Sequence, residues 1–123
     1  MPSKAWQKAK SKKQITKSKK QKAIYFMDTQ VDQIRIKLAE LLIDFKKKYP
    51  IESLAIFGSY ARGDQTDQSD LDLLVEFNDR IGIRFVDLAE ELERKLGMKV
   101  DLVSRKGVKD SYFKEISKDL LNV

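Results

Sequence analysis

Apolar residues recur at helical spacing over residues 29–48, with charged residues between them. This pattern predicts an amphipathic helix. We expect it to end before Pro50, because a proline disfavours helical geometry in the residue that precedes it. The predicted apolar face consists of Val31, Ile34, Leu38, Leu41, Leu42 and Phe45. A short apolar run over residues 51–57, bounded by Pro50 and Gly58, then predicts a buried strand.

Further along the chain, strand and helix patterns alternate. Residues 59–62 predict the first turn of a short helix with Ser59 as its N-cap, followed by a polar loop over residues 63–69. Acidic and apolar residues alternate over residues 70–77, which is typical of a strand with one polar face.

A second amphipathic helix is predicted over residues 83–96, with Gly97 as its C-cap. Its expected inward residues are Val86, Leu88, Ala89, Leu92 and Leu96. A third strand over residues 98–103 and a terminal helix over residues 110–121 complete the order α-β-(α)-β-α-β-α. This order predicts an α/β (α+β) fold, a small mixed sheet with helices packed against it.

Composition restricts the possible chemistry. The 123 residues include no cysteine and no histidine. Disulfide frameworks and zinc–thiolate sites are therefore excluded, as are Ser-His-Asp and Cys-His catalysis and imidazole metal ligands. Any reaction must depend on carboxylates, hydroxyls, lysines, arginines and bound ions.

The net charge of +6 is unevenly distributed. Residues 1–26 hold nine of the 25 basic residues and none of the 19 acidic ones, so residues 27–123 carry a net charge of −3. We therefore predict a basic, disordered extension over residues 1–26 and a folded domain over residues 27–123. Three interpretations of the extension stay open: a solvated segment without a role, a contact with nucleic acid, or an over-extended start before Met27.

No segment has the apolar core of a signal peptide or the length of a membrane span. We therefore expect a cytoplasmic protein without membrane contacts.

The turn at Gly58-Ser59 follows the first predicted strand directly. Glycine allows a sharp turn and lets a phosphate approach the backbone, and free N–H groups where a helix begins can bind an anion. The Ser59 hydroxyl would add a donor, and Arg62 lies one turn further along the same face. Gly58, Ser59 and Arg62 are therefore the predicted nucleotide-binding residues. The alternative is a purely structural role, in which Ser59 caps a tight turn and Arg62 pairs with a surface carboxylate.

Ten residues separate this turn from two aspartates, Asp70 and Asp72. On a strand they share one face, with their Cα atoms about 6.6–6.8 Å apart. Two such carboxylates repel each other unless a cation lies between them, and a pair of Mg²⁺ ions about 3.5–4 Å apart would suit them. Taken alone, they could also be a solvated strand face, but the preceding turn favours phosphoryl or nucleotidyl transfer.

A third acid, Asp101, is flanked by apolar residues in the third predicted strand. If that strand neighbours the strand of Asp70 and Asp72, Asp101 can face the same metals, as a ligand or as a general base. Asp70, Asp72 and Asp101 are therefore the predicted catalytic and metal-binding residues.

This arrangement resembles the polymerase β-like nucleotidyltransferase superfamily, whose signature is a Gly-Ser turn, ten residues, Asp-x-Asp and a later third acid. Gly58, Ser59, Asp70, Asp72 and Asp101 match it one for one. The fuller pattern Gly-Ser-x-Ala-Arg-Gly with Ser-Asp-x-Asp-Leu, in so short a chain, is similar to the minimal nucleotidyltransferases, the antitoxin halves of bacterial and archaeal toxin–antitoxin modules.

The resemblance implies that the aspartates bind Mg²⁺, that the Gly-Ser turn holds the phosphates of ATP, and that AMP is transferred to a hydroxyl with release of pyrophosphate. The implied acceptor is a tyrosine of a partner HEPN-type RNase toxin, inactivated by AMPylation. We expect another chain to supply the acceptor, since the sequence shows no added substrate domain. The alternative is a catalytically silent antitoxin that neutralises its toxin by forming a complex.

Overall fold

The computed structural model describes residues 29–123, so the predicted basic extension, residues 1–26, lies outside them. The helices and strands, in chain order, are α1 (Gln30–Lys48), β1 (Ile51–Phe57), α2 (Ser59–Arg62), β2 (Leu71–Phe77), α3 (Arg84–Leu96), β3 (Val100–Ser104), α4 (Asp110–Ile116) and β4 (Leu121–Asn122). Short 3₁₀ turns precede and follow α4, at Arg105–Gly107 and Ser117–Asp119. The chain divides into two units between Ile34 and Arg35, and the sheet lies entirely in the second.

The four strands form one mixed sheet in the order β3-β2-β1-β4. Strand β1 runs antiparallel to both β2 and β4, whereas β2 and β3 are parallel. Parallel neighbours need a crossover connection, and α3 lies within the one that joins β2 to β3. The fold class predicted from the order of elements is thereby confirmed.

The two faces of the sheet differ in character. On β2, Leu71, Leu73 and Val75 are fully buried on one face, while Asp72 and Leu74 belong to the other because side chains alternate along a strand. On this second face a small apolar cluster forms between β1, β2 and α4. Its members are Phe57, Leu74 and Ile116, with Val103, Val108, Phe113 and Leu120 packed against them. The second face is therefore apolar where α4 covers it and acidic at Asp72.

The end of the chain departs from the prediction. The terminal helix stops at Ile116 rather than at residue 121, and Leu121 and Asn122 instead pair with Ile56 and Ala55 of β1. Val123 extends this contact by donating its backbone N–H to the carbonyl of Leu54 at 3.0 Å. A two-residue edge strand has no periodicity of its own, so no local pattern could predict it.

Helix α3 agrees with the prediction except at its first turn. Leu88 and Leu92 are buried as expected, but the Val86 side chain is 56% exposed. Gly97 caps the helix in the left-handed conformation and donates its N–H to the carbonyl of Glu93 at 2.8 Å. The third strand begins two residues later than predicted, at Val100. Within the described residues, no helix combines the length and the apolar character that a membrane crossing requires.

A charged residue, Glu91, is buried where α3 meets the end of α1, with only 9% of its surface exposed. Its carboxylate accepts a hydrogen bond from the Tyr49 hydroxyl at 2.9 Å and another from the Lys48 ammonium. The bond from Lys48 holds the pKa of Glu91 below its usual range. Burial, together with the Glu91 carboxylate, raises the pKa of Tyr49 to about 12.

We predict that Glu91→Gln lowers the free energy of unfolding by about 1–2 kcal/mol at neutral pH, because charge-assisted hydrogen bonds in a buried position are lost. The half-exposed Lys48 keeps the ion-pair contribution small. A lowered folded-state pKa means that this stabilisation is present at neutral pH and disappears as the pH falls through that pKa.

Urea unfolding at pH 7 and pH 4 measures the effect, and the exposed neighbour Glu90→Gln is the matched control. Equal destabilisation by both substitutions would contradict the role of the buried carboxylate.

Candidate active site

The turn after β1 depends on glycine. Gly58 caps the single-turn helix α2 and has φ 75° and ψ −151°. Residues other than glycine rarely adopt this backbone conformation. Ser59 is therefore the first helical residue and not the N-cap, so that prediction was wrong. Within residues 29–123 the Ser59 hydroxyl makes no hydrogen bond, which leaves it available for a ligand.

The turn lies directly against the acidic strand. A Cβ atom built on Gly58 would stand 2.2 Å from Oδ2 of Asp72 and 3.1 Å from its Cγ. The carboxylate of Asp72 thus occupies the space that any other residue at position 58 would fill. This contact places the two halves of the sequence motif side by side.

The parallel pairing of β2 and β3 sets Asp101 beside Asp72, because the two residues are in register across neighbouring strands. The prediction that Asp101 shares the site required its strand to be the neighbour of β2, and it is. Asp70 is exposed and precedes the first residue of β2, so it flanks the strand rather than belonging to it. Phe57, the last residue of β1, is in register with Asp72 on the other side.

The electrostatics of the site are dominated by negative charge. Partial burial, followed by the charges of Asp101 and Asp70, raises the pKa of Asp72 to about 6, and only the positive charge of Arg62 opposes the rise. An aspartate with so high a pKa would bind a cation with a gain in free energy, since the cation would relieve the repulsion between the carboxylates.

Arg62 is paired with carboxylates, as the structural alternative supposed. Its Nε donates to Oδ2 of Asp64 at 3.2 Å and its Nη1 donates to Oδ2 of Asp119 at 3.4 Å. Asp119 was missed by sequence reasoning, and no local signal could have found it. Tyr60 of α2 is part of the core, and its pKa is raised by burial and by the charges of Asp67 and Asp70.

The donor set suits a hard cation such as Mg²⁺, which prefers carboxylate oxygens. Among residues 29–123 no three acidic side chains converge closely enough to hold a metal ion by themselves. Mg²⁺ is commonly bound by one or two carboxylates together with phosphates of the substrate. The residues present therefore fit a metal that binds with its nucleotide.

We predict a pH-dependent cost of this charge arrangement in the metal-free protein. The folded-state pKa of Asp72 lies above its ordinary value of 3.8, so Asp72 favours the folded state at low pH and disfavours it as the pH rises through about 6. The stability difference between Asp72→Asn and the wild type should therefore grow from pH 4.5 to pH 7.5. Because Asp72 is only half-buried, the difference should reach on the order of 1 kcal/mol.

Thermal unfolding in EDTA at several pH values measures this difference directly. The paired design cancels titrations elsewhere in the chain. A difference that does not vary with pH would contradict the assigned charge repulsion.

A glycine turn packed against carboxylates on a mixed sheet is the arrangement expected of a nucleotidyl-transfer enzyme. The model of the family described as "Nucleotidyltransferase domain" matches residues 38–122, a range that includes every strand and all six candidate site residues. The chain belongs to this family, and it is a nucleotidyltransferase.

Proteins of known sequence support the assignment. The chain is 46% identical to the protein MJ1379 of Methanocaldococcus jannaschii over 82 residues, which cover 63% of this chain and 82% of the relative. It is 32% identical to the protein adenylyltransferase MntA of Thermococcus cleftensis over 81 residues, which cover 65% of this chain and 82% of that protein.

Solved structures agree with the fold. A minimal nucleotidyltransferase superposes with a TM-score of 0.65 at 28% identity, covering 77% of this chain and 97% of the other. A toxin–antitoxin complex crystallised with AMP-PNP contains a chain that superposes with a TM-score of 0.60 at 28% identity, covering 70% of this chain and 68% of that one. The fold is that of the minimal nucleotidyltransferases of the polymerase β-like superfamily.

Proposed function

We propose that this protein is a Mg²⁺-dependent adenylyltransferase that transfers AMP from ATP to a tyrosine hydroxyl of a HEPN-type toxin and so acts as its antitoxin. The observation that carries the proposal is the position of Asp72, which lies against the Gly58 turn on one side and in register with Asp101 on the other. The groups that would bind phosphate and the groups that would bind the metal are therefore neighbours.

The candidate residues form two groups in this proposal. The backbone at Gly58 and the Ser59 hydroxyl would bind the phosphates, and Asp70, Asp72 and Asp101 would hold Mg²⁺, which neutralises phosphate charge and lowers the pKa of the attacking hydroxyl. The acceptor oxygen forms a bond to the α-phosphorus, and the bond from that phosphorus to the bridging oxygen of the β-phosphate breaks. Pyrophosphate leaves, and Asp101 would accept the hydroxyl proton.

Two relatives support the choice of nucleotide and acceptor. MntA of Thermococcus cleftensis carries the name protein adenylyltransferase, which supports an AMP group and a protein acceptor. The similar chain from a toxin–antitoxin complex was crystallised with AMP-PNP, an analogue of ATP, which supports an ATP substrate and a toxin partner. We further propose that residues 27–123 form the catalytic domain and that the reaction takes place in the cytoplasm, with no nucleic acid involved unless residues 1–26 bind it.

Incubation of the protein with ATP radiolabelled at the α-phosphate, Mg²⁺ and the product of the neighbouring gene tests the proposal. Label should move to the partner in the presence of Mg²⁺ and should not move when EDTA removes the metal. Transfer should also disappear when the acceptor tyrosine is changed to phenylalanine. Absence of label on the partner would refute adenylylation. Full protection of cells by the Asp70→Asn, Asp72→Asn double variant would instead favour neutralisation by complex formation.

A further inference from the structure

The guanidinium of Arg62 is held from two directions. Its Nε donates to Asp64 at 3.2 Å, and its Nη1 donates to Asp119 at 3.4 Å. Asp64 is only two residues away along the chain, so this contact moves together with the turn. Asp119 is 57 residues away along the chain. Its contact with Arg62 is therefore the one that fixes the guanidinium relative to the sheet.

Asp119 is itself firmly placed. It ends the 3₁₀ turn after α4, and its next neighbour, Leu120, packs against the apolar cluster on the second face of the sheet. The residue after that, Leu121, pairs with Ile56 of β1. In the ion pair between Arg62 and Asp119, 31% of the Asp119 side chain is exposed, against 47% of the Arg62 side chain. The carboxylate of Asp119 is thus well anchored, and it contacts the longer and more exposed side chain of Arg62.

The two contacts leave part of the guanidinium unused. Arginine has five N–H donors in a fixed planar fork, and the bonds to Asp64 and Asp119 engage only Nε and Nη1. The donors of Nη2 have no partner within residues 29–123. Planar guanidinium donors match phosphate oxygens well, and a side chain that ion pairs already orient loses less freedom when it binds.

We propose that Asp119 is a positioning residue, which holds Arg62 so that its Nη2 donors bind the triphosphate of the incoming nucleotide. The inference rests on the proposed function, because it requires that the site binds Mg·ATP. Arg62 lies one helical turn after Gly58 and is the last residue of α2, the short helix that Gly58 caps. The C-terminal segment thereby contributes to nucleotide binding through Arg62 without touching the nucleotide.

The test compares Asp119→Asn with Glu115→Gln. The control removes the same charge from the same segment, where Glu115 forms an exposed pair with Lys118 at 3.3 Å. Isothermal titration with Mg·ATP and steady-state kinetics should show roughly three- to tenfold weaker binding and a correspondingly higher KM for Asp119→Asn, with kcat within about twofold of the wild type. Asp119→Glu should recover part of the affinity, and Glu115→Gln should change neither quantity.

A double-mutant cycle separates positioning from a general structural effect. In an Arg62→Ala background, Asp119→Asn should cause no further loss of affinity, because its effect acts through Arg62. An equal loss in that background, tighter binding by Asp119→Asn, or no change at all would each overturn the inference.

The outcomes also distinguish this inference from the proposed function. A wild-type protein that binds Mg·ATP but labels no partner refutes adenylylation, while the binding series still decides the role of Asp119. A wild-type protein that binds no Mg·ATP refutes both.

Discussion

Replacing Asp72 with asparagine is expected to reduce AMP transfer by at least about a hundredfold while the fold stays intact. Asparagine keeps the shape of the side chain but removes the charge that a cation would neutralise, and losing a ligand of the proposed Mg²⁺ would affect affinity and rate together. Asp72 is the acid in contact with the Gly58 turn and in register with Asp101. No other carboxylate within the described residues occupies such a position.

The same substitution should not destabilise the protein. Burial and two neighbouring carboxylates raise the pKa of Asp72 to about 6, so removing its charge relieves repulsion at neutral pH. A variant that is inactive yet as stable as the wild type, or more so, would separate a functional role from a structural one.

Initial rates of label transfer and thermal unfolding, measured on the same preparation, check both expectations. Asp67→Asn is the control, since Asp67 is an exposed residue of the loop before β2. Retention of more than a tenth of the wild-type rate by Asp72→Asn would contradict the assigned site.

The second large effect is expected from Gly58→Ala, which should destabilise the fold by about 1–3 kcal/mol and abolish transfer. Part of the cost arises because alanine is strained at φ 75°. The remainder arises because the new Cβ would stand 2.2 Å from Oδ2 of Asp72, so the carboxylate must move away from its place in the site.

Gly63→Ala is the matched control for Gly58→Ala. Gly63 has φ 86°, but a Cβ there would meet nothing within 4 Å, so this substitution carries backbone strain without a collision. Urea unfolding and transfer rates should show that Gly63→Ala loses some stability but keeps activity. Equal loss of activity in both variants would refute the importance of the Gly58–Asp72 contact.

A double-mutant cycle isolates the collision itself. In an Asp72→Ala background the carboxylate is absent, so Gly58→Ala should cost less stability than it costs in the wild type. The difference between the two costs measures how tightly the turn and the acidic strand are packed.

These expectations share one physical origin. The site holds like charges in close proximity, and the backbone next to them adopts a conformation that only glycine tolerates without strain. The repulsion between the carboxylates reduces stability in the free protein, and both features are consistent with a site prepared for a cation and a phosphate chain.

Local sequence patterns predicted α1, β1, β2 and the body of α3 because these elements are decided by periodicity and by stop signals such as Pro50 and Gly97. They were least successful where position depends on distant partners. Val86 was expected inside and is exposed, because a period-3.6 pattern does not show how much of a helix face is covered. The Ser59 N-cap was wrong because the tight exit from β1 requires a positive φ at the cap position, and Gly58 fills it.

The sequence by itself determined the chemistry available to this protein: no histidine, no cysteine, a Gly-Ser turn and two aspartates at a set distance along the chain. Only the tertiary structure decided that the Asp72 carboxylate lies against Gly58, that Asp101 stands in register beside it, and that Asp119 reaches Arg62. Strand β4 likewise exists only through its pairing with β1. The physical reason is that spacing along a chain records which groups are near in sequence, whereas strand order, register and packing bring distant groups together, and these arise from the fold as a whole.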